Sequence, residues 1–118
     1  MEVEASPITG SLIEDFAQDE LKFIVETFGS DVSRSIKILR ATAAVGDTTA
    51  FCRAAHMLVG CASAVGARSL ERSVRAAMEE AQTPTNCLAA LARIHTEACQ
   101  ALTALMVLTE GTAARRRQ

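Results

Sequence analysis

The chain predicts an all-α fold, an antiparallel four-helix bundle with a short extra helix on its N-terminal side. Three observations lead there. Apolar residues recur at helical spacing in one segment after another. Sheet-building residues are scarce, with 3% aromatic content, no Trp or Tyr, and little clustering of β-branched side chains. The breaks between segments are only a few residues long, so consecutive helices must reverse direction. A chain of 118 residues is one domain with a single core. We divide it into a flexible N-terminal segment (1–10), the bundle (11–110) and a basic C-terminal tail (111–118).

Taken in order, Ser6-Pro7 and Thr9-Gly10-Ser11 punctuate the start, and a short amphipathic piece follows from about Leu12 to Phe16. A helix from about Asp19 to Phe28 turns Leu21, Ile24, Val25 and Phe28 to one side. Gly29-Ser30-Asp31 then reads as a stop and a new cap. The next helix, about Val32 to Ala44, turns Val32, Ile36 and Leu39 inward. Gly46-Asp47 ends it and opens a helix over 47–67, which Gly66 closes. Ser69 to Gln82 makes a shorter helix with Leu70, Val74, Ala77 and Met78 inward. Thr83-Pro84-Thr85 marks the last boundary, because Pro favours the first turn of a helix. Beyond it Leu88, Leu91, Ile94, Ala98, Leu102 and Leu105 form the longest apolar stripe.

Charge is distributed unevenly within a net of −2. Residues 1–30 hold seven acids against Lys22 alone, whereas residues 31–78 hold seven bases (Arg34, Lys37, Arg40, Arg53, Arg68, Arg72, Arg75) against three acids, Asp31, Asp47 and Glu71. Such a segment is either an ordinary solvated face or a surface that steers an acidic or phosphorylated partner. Nucleic acid is a poor fit, because the whole chain is acidic and has neither aromatic interleaving nor a reader motif. No apolar run approaches the ~18 residues that a membrane span needs, and the acidic start is unlike a secretory signal. We therefore expect a cytoplasmic domain without membrane contact. Cys52, Cys61, Cys87 and Cys99 form no CxxC pair, which suits reduced thiols. Phosphate-cradling glycine loops and nucleophile elbows are missing, so the chain is not expected to be an enzyme in its own right.

His56 is the side chain best suited to chemistry. On a helical projection of 47–67, Phe51, Ala54, Leu58, Cys61, Ala62 and Val65 fall within about 60° of the direction opposite the imidazole. Its own side carries Thr49, Cys52, Arg53, Val59, Gly60 and Ser63. A Gly one turn after a His costs about 1 kcal/mol against Ala, which suggests that something approaches the backbone there. Imidazole is a nucleophile at neutral pH and can hold a phosphoryl group. His95, by contrast, projects into the stripe of Leu88, Ala98 and Leu102, and reads as a core-edge histidine. Cys52 with His56, and His95 with Cys99, have the i, i+4 spacing of metal ligands. Convergence of the two pairs would need His56 to face inward, so no metal site is expected.

The run Ala54-Ala55-His56-Met57-Leu58-Val59-Gly60-Cys61-Ala62-Ser63-Ala64-Val65-Gly66-Ala67 resembles the signature of histidine phosphotransfer domains. There, A-H-x-L-K-G is followed after a few small residues by a Gly-Ala pair. The resemblance implies that His56 accepts and donates a phosphoryl group. It also implies that Gly60 leaves room for a response-regulator receiver domain, with Thr49, Cys52, Val59 and Ser63 around it on the docking surface. The partner would be that receiver, or a hybrid sensor kinase of which this chain is a domain. No cofactor would sit on the chain itself; magnesium would belong to the receiver. The bundle would act as a monomer. One departure stands out: Val59 occupies the place of the family's lysine, and Arg53, one turn before His56, is the cation that could support the phosphoryl oxygens instead. Loss of that lysine leaves a second reading, a domain of this fold that docks a partner without transferring phosphate. A homodimerising helical module is a third.

Overall fold

The computed structural model describes residues 16–116. They form four helices, α1 (Gln18–Ala44), α2 (Thr48–Ala64), α3 (Arg68–Glu80) and α4 (Pro84–Arg116), and no strand appears among them. Each helix packs on its sequence neighbours, and α4 closes the ring against α1. Links of three residues allow no course but reversal, so the four run up, down, up, down. The short helix expected near 12–16 lies outside the described residues, except for Phe16, which precedes α1.

Helix ends follow from local chemistry. Ala17 has no capping side chain, and Glu20 reaches back instead, its Oε1 accepting from the Ala17 N–H at 2.7 Å. After α1, the Asp47 N–H bonds the Thr42 carbonyl at 3.0 Å and the Gly46 N–H bonds that of Ala43 at 3.2 Å. After α2, the Ala67 N–H bonds the Ala62 carbonyl at 2.9 Å and the Gly66 N–H bonds that of Ser63 at 3.2 Å. Both are Schellman closures, and both need a residue at positive φ: Gly46 at 74° and Gly66 at 73°. Asp47 then caps α2, with Oδ1 accepting from Ala50 N–H at 3.0 Å, and Thr83 caps α4 through Asn86 N–H at 3.2 Å.

Two expected boundaries are corrected. Gly29-Ser30-Asp31 does not break the first helix, because α1 runs through it unbroken. Gly29 faces α4, where the Leu102 methyls lie 3.7 and 3.9 Å from the position its Cβ would take; that is ordinary contact distance, so neither a turn nor a close helix approach requires the glycine. Asp31 pairs with Arg34 one turn on, at 3.3 Å, and caps nothing. At the other end α4 continues to Arg116, into the stretch read as tail. Arg116 donates to the Phe16 carbonyl and, at 3.4 Å, to Gln18 Oε1, so one main-chain and one side-chain acceptor at the start of α1 hold it.

The core is aliphatic. Phe51, Leu21, Leu39, Leu58, Leu70, Ile94, Leu105 and Val74 are its largest fully buried side chains. Alanines make up much of the rest, with Ala43, Ala54, Ala55, Ala62, Ala77, Ala90 and Ala101 all buried. In α4 the buried line runs through Cys87, Ala90, Leu91, Ile94, Ala98, Ala101 and Leu105. That line is turned by roughly 40° from the one traced through the leucines. Leu88, expected inside, is therefore 54% exposed.

Candidate functional site

Residues of α2 sort into two faces. Phe51, Ala54, Ala55, Leu58, Val59 and Ala62, with Val65 just past the helix end, are buried, while Thr49, Arg53, His56, Met57, Gly60 and Ser63 are exposed. Cys52 and Cys61 sit half-buried at the two borders. The buried arc is centred about 220° from His56 rather than 180°, because α2 packs on both α1 and α3. Its boundary consequently moves toward Val59.

Five of the seven expected site residues thus share an outward surface: His56, Arg53, Thr49, Gly60 and Ser63. Two do not belong on it as expected. Val59 is only 5% exposed and is a core residue, not part of a docking surface. Cys52 is half-buried with its thiol 3.7 Å from the Met78 carbonyl, in the seam with α3. Gly60 is open: a Cβ built on it would meet nothing within 4 Å. Arg53 has no ion-pair partner among the described residues. The outward face of α2 therefore presents one imidazole, one guanidinium and a gap in the side-chain cover one turn beyond the imidazole.

His95 is corrected as well. It is exposed, not a core-edge residue, since the turn of the buried line in α4 leaves it outside. Its ring nitrogens both lie 4.0 Å from the Cys99 thiol sulfur. Among the described residues no group of three or more His, Cys, Asp or Glu is placed to hold a metal ion, and no helix is long and apolar enough to cross a membrane.

The cations of 31–78 do not gather around His56. Arg34 and Arg75 are taken up by Asp31 and Glu71, the latter pair at 3.0 Å. Lys37 and Arg40 line a groove between α1 and α4, together with His95. Sequence reading missed this grouping. Lys37 and Arg40 carried a signal in their i, i+3 spacing, but only the α1–α4 register puts them beside a histidine some sixty residues away.

Comparison with family models, with curated proteins and with solved structures found no match to this chain.

Proposed function

We propose that the chain is a phosphoryl carrier of the histidine phosphotransfer type, working in a cytoplasmic two-component phosphorelay. The observation that carries the reading is the pairing of an exposed His56 with an open Gly60 one turn on, in the sequence setting that resembles that family's signature. Exposure alone would not single it out, because His95 is exposed too. In the proposed step a neutral ring nitrogen of His56 attacks the phosphorus of a receiver aspartyl phosphate. The N–P bond forms as the acyl O–P bond breaks, and the aspartate leaves as carboxylate; the reverse step returns the group. Such transfer needs positioning and charge stabilisation more than covalent assistance. A stiff helix presenting one accessible imidazole supplies the first, and the receiver's magnesium, with Arg53 on this side, supplies the second. The bundle would serve as a monomer, and the receiver, free or joined to a sensor kinase, would be its partner.

The docking-only reading is favoured by one observation. Val59 is buried in the position where the resemblance calls for an exposed lysine, so the site lacks that charge. Labelled phosphate from phosphorylated receivers separates the two. Label on the wild-type chain and none on His56→Gln supports the carrier; receiver binding without label on any variant supports docking alone.

A further inference from the structure

Lys37 and Arg40 stand on the side of α1 that meets α4, and neither side chain has a hydrogen bond or a carboxylate partner among the described residues. With His95 across from them they line a groove of about 260 Å³. Leu102 lies against Gly29 at one end of the groove, and the two ends are unlike. Toward Gly29 and Leu102 it is apolar, with Val32, Ile36 and Ala98 as floor; toward Arg40 it is cationic. Its lining holds no Asp or Glu, whereas the groove of α1 with the end of α4 holds Asp19, Glu26 and Glu110, and that of α1 with α2 holds Asp31.

We infer that this groove binds an aliphatic carboxylate, with the head at Lys37 and Arg40 and the chain along Val32, Ile36 and Ala98 toward Leu102. Charge complementarity selects an anion: two cations three residues apart on one helix face converge on a single head, and a guanidinium fork matches carboxylate geometry. The apolar floor selects a hydrocarbon body over a free inorganic ion. Both helices are unbroken here, so their main-chain N–H groups are already bonded and only side chains can donate. The seven helical steps from Gly29 to Ile36 span about 11 Å, the reach of a medium-length chain such as octanoate. A groove of this volume is below the usual range for larger organic ligands.

The test is titration of the whole chain with octanoate, followed by amide chemical shifts and by calorimetry at moderate salt. Saturable binding is expected, with shifts grouped at Gly29, Ser33 and Ala98, weaker binding of octanol, and no change on His56→Gln. Lys37→Gln combined with Arg40→Gln is expected to weaken octanoate by about tenfold or more, the worth of one charge-assisted bond. Both residues are exposed, so the fold is retained; should the double variant lose helicity, the single Lys37→Gln takes its place. Absence of saturation at millimolar octanoate, equal affinity for octanol, undiminished binding by the variant, shifts centred elsewhere, or tighter binding of octyl phosphate would each overturn the assignment.

Discussion

The Cys52 thiol lies against the main-chain carbonyl of Met78, Sγ to O 3.7 Å, and ties α2 to α3. One helical position beyond this seam the surface opens to Gly60 and His56. The border between packed and free surface thus runs lengthwise along α2, with Cys52 and Val59 on the packed side.

His56→Gln is expected to abolish label uptake from a phosphorylated receiver, and His95→Gln to leave it intact. Both side chains are exposed, so neither change should alter the helical circular dichroism. Transfer lost in His95→Gln but kept in His56→Gln would move the acceptor to the α1–α4 groove.

Gly60→Ala should stabilise the bundle by up to about 1 kcal/mol, since the added methyl meets nothing within 4 Å. Gly60→Arg should leave the melting temperature close to that of wild type yet weaken receiver binding. Thermal melts and a binding titration read the two effects separately.

Val59→Lys is expected to destabilise by about 1–3 kcal/mol, because it replaces a packed, 5% exposed aliphatic with an ammonium that must find its way to water. Arg53→Ala should change stability by no more than about 0.5 kcal/mol while slowing phosphoryl uptake. Denaturant midpoints and transfer rates, measured on both variants, decide; unchanged transfer in Arg53→Ala would remove it from the site.

Asp47→Ala should cost about 1 kcal/mol through loss of the α2 cap, whose bond to Ala50 N–H is 3.0 Å long. Gly46→Ala should cost a similar amount, since an L-residue at φ 74° is strained. Urea midpoints with unchanged slopes would report both.

Burial is the first cause that raises the Cys61 and Cys87 thiols above the ordinary 9.0, with the negative charge of Asp31 adding to it at Cys61 and that of Cys52 at Cys87. The folded chain therefore holds those protons to higher pH than the unfolded chain does. Stability is expected to be flat with respect to these thiols below pH 9.0 and to fall as pH rises past it. Denaturant midpoints between pH 8 and 10, compared with Cys61→Ala, check the sign. Alkylation should reach exposed Cys99 first and buried Cys87 last.

Most of the helix boundaries were legible in the sequence because each is written locally. Gly46 and Gly66 close helices through φ values open to glycine, Asp47 offers a cap, and Pro84 opens α4. Gly29 misled for a tertiary reason: it resembles a stop, yet the buried line of Phe28, Val32 and Ile36 carries on across it and keeps that face of α1 packed. Faces were legible only approximately. Projection locates a stripe from large apolar residues, whereas alanines in α2 and α4 determine which way each helix turns. Turns of about 40° were enough to bury Val59 and to expose Leu88 and His95. The grouping of Lys37, Arg40 and His95 was out of reach, since it exists only once α4 has closed on α1.

That closure has a kinetic side. The α2–α3 and α3–α4 contacts join segments linked by three residues, but the α1–α4 seam joins the most distant parts of the described chain. Its loop is the longest and its ordering entropy the greatest. The ring of helices is therefore expected to seal there last on folding and part there first under strain. A ligand lodged between Gly29 and Arg40 would act as a rivet across the line of opening, and its presence should slow unfolding more than it speeds folding.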